Sequence, residues 1–213
     1  MADHLRNPWV VEDSDIGLFK KVLEELVQRH PKETLNILEW GAGGSTYYYT
    51  KFLKEKGIDF KWLAVEHDKG WSKRVNDILE FPIKVGAVFP EQWAFVQWIQ
   101  QVAPYLKVPF PNVPEYNPKY NYYKYPRHFL DVCNVPGFHL IYIDGRFRSR
   151  CLKETLTLLL DSGIIVMDNA ERAWYQKAIS ECSLKNKFIK PHWWIADSIG
   201  SHFINSVGKK NIL

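Results

Sequence analysis

Cysteine is scarce in this chain of 213 residues: Cys133, Cys151 and Cys182 are odd in number and show no CxxC spacing. That pattern argues against a disulfide framework or a zinc cluster, and a reducing, cytoplasmic setting is expected. No apolar run approaches the roughly 20 residues that a membrane span needs. The segment from Met1 to Arg6 lacks the apolar core and small-residue cleavage site of a secretory signal. Charge of one sign is missing too. The net charge of +4 is too mild for the concentrated basic face of a nucleic-acid binder, although it is compatible with an acidic small molecule. No Ser-His-Asp or Cys-His arrangement for nucleophilic catalysis stands out.

Aromatic side chains, by contrast, are plentiful: 15% of the chain, with nine tryptophans. Some of those rings must belong to the core, and others are candidates for lining a site. The order of elements is legible from periodicity. Asp15 to Arg29 carries one helical stripe behind Ser14 as N-cap. Leu35 to Trp40 is a short apolar strand, Ser45 to Lys56 a helix, and Trp62 to Val65 a second strand that ends at Glu66. Lys69 to Leu79 reads as a helix, Pro82 to Phe89 as a strand, and Glu91 to Val102 as a helix. Residues from about 104 to 127 form a Tyr/Pro-rich insert without sustained period. Order resumes with the strand Leu140 to Ile143, a helix from Ser149 to Leu160, the strand Gly163 to Met167 and a helix from Glu171 to Cys182. Phe188 to Trp194 and Ser201 to Val207 are expected to form a terminal antiparallel pair.

Apolar strands alternating with helices define an α/β domain with a parallel core, a single domain at this length. Ligands of such sheets bind beyond the carboxyl ends of the strands. The first strand ends in Glu39-Trp40-Gly41-Ala42-Gly43-Gly44-Ser45-Thr46. Glycines there permit a tight turn and close approach of a ligand, and the next helix offers free N–H groups. A dinucleotide fingerprint wants glycine where Thr46 stands. Glu39, two residues before the first glycine, suits a cationic ligand better than a pyrophosphate; the alternative is a glycine turn without a ligand. Glu66 follows that turn by about 25 residues, the place where a carboxylate receives ribose hydroxyls. It indicates an adenosine ligand without saying which one; otherwise it is a solvated strand-end acid.

These segments, together with Val65-Glu66-His67-Asp68, Trp71, Ile143-Asp144-Gly145-Arg146-Phe147-Arg148 and Val166-Met167-Asp168-Asn169, resemble the Rossmann-like S-adenosylmethionine-dependent methyltransferases. The likeness is to a bacterial small-molecule subgroup with a DGRFR strand end, and it spans roughly Leu35 to Arg172 apart from the insert. The resemblance implies a doubly wound, mostly parallel sheet of about seven strands with a C-terminal antiparallel strand and helices on both faces. It implies that Glu39, Gly41, Ala42, Gly43 and Ser45 surround the methionine half of the cofactor, with Asp144 nearby. Glu66 would take the ribose and His67 the adenine. The adenine-binding acid expected after the third strand is not evident near Val85 to Phe89.

Asp144, Asp168 and Asn169 are hard oxygen ligands that suit Mg²⁺, an arrangement similar to that of cation-dependent O-methyltransferases. Phe147 departs from it, standing where those enzymes carry a lysine base. The alternative is that Asp144 orients an acceptor while Asp168-Asn169 caps the next helix. Arg146 is expected to pair with Asp144 or to clamp an acidic acceptor, which makes Asp144 and Arg146 the catalytic candidates; Arg148 and Arg150 read equally as partners of that kind or as a solvated helix start. In the insert, Tyr116, Tyr120, Tyr122, Tyr123, Lys124, Tyr125, Arg127 and His128 read as a lid for a sugar-like or aromatic acceptor, as a packed loop, or as a homo-oligomer contact. His139 is expected to be structural, and His192 and His202 to be bases only if the last strands approach the cleft. The function expected is methyl transfer to a small-molecule hydroxyl. An NAD(P)-binding oxidoreductase and a non-catalytic binding protein on the same scaffold are the alternatives.

Overall fold

The strands Leu35–Trp40 (β1) and Phe138–Ile143 (β4) are buried along their whole length, and Phe60–Glu66 (β2) at all but Lys61. Continuous burial of this kind arises when a parallel strand is covered on both faces. The computed structural model describes residues 13–79, 93–98, 123, 125–190, 192–197 and 199. Within them lie the helices Asp13–Arg29 (α1), Gly44–Glu55 (α2), Lys69–Ile78 (α3), Tyr125–Cys133 (α4), Arg148–Thr155 (α5) and Ala173–Ser180 (α6). The remaining strands are Trp93–Trp98 (β3), Leu159–Asp168 (β5), Lys185–Lys190 (β6) and Trp193–Asp197 (β7). The sheet order is β3-β2-β1-β4-β5-β7-β6. The first five strands are parallel, and β7 runs antiparallel to both β5 and β6.

Each face of the sheet has its own core. Phe19, Val22, Leu23 and Leu26 of α1, spaced to share one stripe, pack with Tyr49 and Leu53 of α2 and Val75 of α3 against Ile37, Trp62, Ala64 and Leu140. Phe19 stacks on Tyr49 with centroids 4.1 Å apart and meets Tyr142 and Trp193 edge-on. The opposite core joins Leu130 of α4, Cys151 and Leu152 of α5 and Ala178 and Ile179 of α6 to Leu38, Trp40, Leu63 and Ile141. No helix of the described residues is long and apolar enough to cross a membrane.

Several sequence expectations need correction. Trp93–Trp98 lies inside the helix expected over Glu91 to Val102 but is a strand, paired in parallel register with Lys61–Glu66 of β2. Asn76 of α3 accepts from the Val96 amide and donates to the Val96 carbonyl, at 2.9 and 2.8 Å. A helix thus satisfies backbone groups that an edge strand would otherwise leave open. The helix expected from Ser149 to Leu160 ends at Thr155, a 3-10 turn covers Leu156–Leu158, and β5 begins at Leu159. The antiparallel pair is β6 with β7, so Phe188 to Trp194 straddles their connection rather than forming one strand. Helix α4 begins at Tyr125, inside the stretch expected to lack structure. Helix α1 begins at Asp13, so Ser14 is its second residue and not its N-cap. The strand at Pro82 to Phe89, the strand at Ser201 to Val207 and most of the insert lie outside the described residues.

The carboxyl ends of β1 and β4 meet at two glycines. Gly41 has φ +91°, and a Cβ on it would lie 2.7 Å from the Cα of Gly145. A Cβ on Gly145 would lie 2.9 Å from the Gly41 amide nitrogen and from the Trp40 carbonyl. Gly145→Ala should therefore destabilise by about 2–4 kcal/mol, since the clash is with backbone that no rotamer change relieves. Urea unfolding of the variant checks this; a loss under about 0.5 kcal/mol would show that the two turns separate freely.

Candidate functional site

At the carboxyl ends of β1, β2, β4 and β5 lies a cleft of about 800 Å³, within the range typical of small-molecule sites. Its walls are the turn Gly41–Ala42; Glu66, His67, Asp68 and Trp71 after β2; Asp144 to Arg148 after β4; and Asn169, Arg172, Trp174 and Tyr175 after β5.

The glycine turn is held from both sides. The Ala42 amide donates to Glu66 Oε2 at 3.0 Å, and the Ala42 carbonyl accepts from Trp71 Nε1 at 2.6 Å. Gly41 N–H donates to the Val65 carbonyl, and Asp144 N–H to that of Trp40, each at 2.9 Å. Glu66 Oε1 accepts the amides of His67 and Asp68, and His67 Nδ1 lies 2.6 Å away. Burial raises the Glu66 pKa, but the hydrogen bonds from His67 and from the backbone outweigh it, and the net shift is downward. Glu66 is thus an ionised acceptor at the cleft wall. Asp68 caps α3 by accepting from Trp71 N–H at 2.7 Å.

Glu39 is placed differently from Glu66. It is fully buried and accepts from Ser45 Oγ at 2.5 Å, Thr46 Oγ1 at 2.6 Å and Trp62 Nε1 at 2.9 Å. Thr46 in turn accepts the Gly43 amide at 3.0 Å. Glu39, Gly43 and Ser45 do not line the cleft; they set the shape of the turn that does. Burial pushes the Glu39 pKa up to about 7, against the hydrogen bonds from Ser45, Thr46 and Trp62.

The strongest departure from the sequence reading is Arg148. Of the two readings open for it, the solvated helix start is excluded: Arg148 is buried and commits every nitrogen to the strand ends. Nη2 donates to Asp144 Oδ1 and to the Asp144 carbonyl, both at 2.9 Å. Nη1 donates to Asp168 Oδ2 at 3.0 Å and to the Asp168 carbonyl; Nε donates to the Gly145 carbonyl at 3.0 Å. Arg146, expected to pair with Asp144, is exposed on the cleft wall. Burial and the Asp168 carboxylate push the Asp144 pKa up, while the Arg148 guanidinium pulls it back.

This arrangement bears directly on a metal. One oxygen of each carboxylate is given to a fixed cation, so a dication between Asp144 and Asp168 would meet like charge and engaged ligands. Asn169 faces the cleft with φ 52°, but the set as arranged does not fit Mg²⁺. Nor does Asp168-Asn169 cap α6, whose N-cap is Arg172. His30, Glu33 and His139 also lie within metal-ligand reach of one another. There His139 Nδ1 accepts the Asn36 amide at 2.9 Å, which leaves the ring proton on Nε2 facing Glu33. Coordination through Nε2 would require an imidazolate, so the cluster is better explained as a hydrogen-bonded tie. His192 is exposed, 3.7 Å from Glu171, and does not line the cleft. His202 is outside the described residues.

The fold is therefore an α/β domain with a mostly parallel sheet and a ligand-sized cleft at its carboxyl edge. No protein-family model matches the chain, and no curated protein matches it. Among solved structures it is similar to a methyltransferase-like protein from Silicibacter pomeroyi, at 18% identity over 90% of each chain with a TM-score of 0.48. It is also similar to the TDP-rhamnose 3′-O-methyltransferase of calicheamicin biosynthesis, at 13% identity over 92% of this chain and 90% of that one, TM-score 0.49. A third similarity is to the MycE methyltransferase of mycinamycin biosynthesis, in complex with Mg, SAH and mycinamycin VI. It reaches 11% identity over 90% of this chain and 49% of that one, TM-score 0.47.

Two outcomes test the site's electrostatics. Glu39 has its folded pKa raised above the ordinary value of 4.5, so its contribution is intact below that value and is lost as pH rises through about 7. Unfolding free energy should fall by about 1–3 kcal/mol over that window, and Glu39→Gln should flatten the fall. A pH dependence identical in the variant would exclude Glu39 as its source. Separately, Arg148→Met should cost about 3–5 kcal/mol by leaving paired acids uncompensated, and millimolar Mg²⁺ should recover part of it. Wild-type melting temperature should not respond to Mg²⁺; a clear rise would contradict the displacement of metal by Arg148.

Proposed function

We propose that the cleft binds S-adenosylmethionine and that the protein transfers its methyl group to a hydroxyl oxygen of a small molecule. The observation that carries this reading is the convergence of the Gly41–Ala42 turn, Glu66 and Asp144 on one cleft. The sheet supports it as well. Dinucleotide-binding sheets run 3-2-1-4-5-6, whereas here a reversed strand stands between β5 and β6. That strand is the C-terminal antiparallel strand which the methyltransferase resemblance implies.

On this reading Glu66 accepts the ribose hydroxyls with the lone pairs its backbone donors leave, and His67 lies at the adenine. The turn at Gly41 and Ala42, set by Glu39 through Ser45 and Thr46, cradles the methionine half. Transfer is a direct displacement. The acceptor oxygen forms a bond to the methyl carbon, the carbon–sulfur bond breaks, and its electron pair returns to sulfur to leave a neutral thioether. The protein supplies alignment and a base for the acceptor proton. On this reading Asp144 takes that proton; its 36% exposed side chain on the cleft wall and its upward-shifted pKa support the role. Because Arg148 already engages one oxygen each of Asp144 and Asp168, no step is assigned to a metal.

Asp144→Asn should leave S-adenosylhomocysteine affinity within about threefold and lower transfer from labelled cofactor at least about 100-fold across a hydroxyl-acceptor panel. Wild-type transfer should fall as pH drops through the raised Asp144 pKa, because the protonated carboxyl cannot accept the hydroxyl proton. Unchanged turnover in the variant would remove Asp144 from the mechanism. Glu66→Ala should weaken the thioether product's binding by about 10- to 100-fold; an unaltered affinity would place the ribose elsewhere.

A further inference from the structure

The charges of the cleft are divided between its sides. After β2, Glu66 and Asp68 hold backbone amides and face the part of the cleft given to the cofactor. After β4, Arg148 is engaged within the wall by both Asp144 and Asp168 and is not available to a ligand. Two further cations, Arg146 and Arg172, line the same cleft. Arg146 is exposed on the wall and makes no ion pair among the described residues. Arg172 has Glu171 as its carboxylate neighbour, with Nε 4.0 Å from Oε1, and that acid also lies 3.7 Å from His192.

Trp174 lines the same cleft. It is 69% exposed, and with Ile199 it is one of two exposed large hydrophobics among the described residues. Tyr175 meets its ring edge-on at a centroid distance of 5.9 Å, and the Arg172 guanidinium carbon lies 5.9 Å from its centroid. An indole left in water at the rim of a cleft presents a flat face that a ligand ring can cover. The guanidinium fork matches a carboxylate or a phosphate in geometry as well as charge.

We infer that the ligand of this half of the cleft is an anionic ring compound, its carboxylate or phosphate held by Arg146 and Arg172 and its ring against Trp174. Only the ligand's role as methyl acceptor rests on the function proposed above; the anion-and-ring site does not. A neutral ligand would leave Arg146 without an ion pair among the described residues and Arg172 with only a carboxylate that it shares with His192. An anionic one compensates both, and its ring hydroxyl lies in the same cleft as Asp144.

Paired probes that differ only in the anion test this. 4-Hydroxybenzoate is compared with 4-hydroxybenzyl alcohol, and glucose 1-phosphate with methyl glucoside, by calorimetry with and without saturating S-adenosylhomocysteine. In at least one pair the anionic member should bind at least about tenfold more tightly. Arg146→Gln and Arg172→Gln should each remove most of that preference, and Trp174→Ala should weaken both members. The pair that discriminates separates a carboxylate from a phosphate source. Equal affinity within both pairs, no binding by any probe, or a preference that survives both arginine substitutions would overturn the inference. Anion preference without S-adenosylhomocysteine binding would leave the inference standing and sink the cofactor reading instead.

Discussion

The contact between Gly41 and Gly145 is the constraint on which the site depends. Each glycine occupies the space that a Cβ of the other would need, so the turns after β1 and β4 lie against each other without side chains between them. Because of that approach, Asp144 N–H reaches the Trp40 carbonyl and Gly41 N–H the Val65 carbonyl. Three adjacent parallel strands thereby end at one level. The acids that follow them, Glu66 and Asp144, are then delivered to one cleft rather than to separate edges of the sheet. A larger residue at either glycine would separate the two halves of the site before it disturbed any functional side chain.

Around that contact, buried polar groups set the shape instead of filling it with apolar atoms. Glu39 gathers Ser45, Thr46 and Trp62 beneath the turn, while Arg148 gathers Asp144, Asp168 and three carbonyls beneath the opposite wall. Both are buried ionisable groups whose partners are all fixed, the condition under which such groups rigidify a site rather than weaken it. Arg148 also bridges the two strand-end carboxylates, Asp144 and Asp168.

The strand ends were legible because a buried parallel strand leaves a mostly apolar run, and the residues that close that run fall at the ligand edge. Leu35–Trp40, Phe60–Glu66 and Phe138–Ile143 obey that rule, so Gly41, Glu66 and Asp144 could be singled out. Trp93–Trp98 could not be read the same way. Its apolar residues satisfy both periods, and the partner that decides, β2 with Asn76 bracing the outer edge, is distant in sequence. Arg148 was missed for a related reason. Its spacing from Asp144 looks like a surface pair, but Phe147 at φ 54° turns the chain so that α5 begins at the arginine itself. Asp168, which completes the pair, is 20 residues further on. Trp174 gave no periodic signal at all, since its significance lies in being exposed.

The central claim is that this cleft is built for a sulfonium cofactor and not for a dinucleotide, and calorimetric titration of the whole chain tests it most directly. S-adenosylhomocysteine should bind in the micromolar range, with NAD⁺ giving no measurable heat and Mg²⁺ leaving the affinity unchanged. Binding of NAD⁺ in preference to S-adenosylhomocysteine would contradict the account of the Gly41 turn and of everything placed around it.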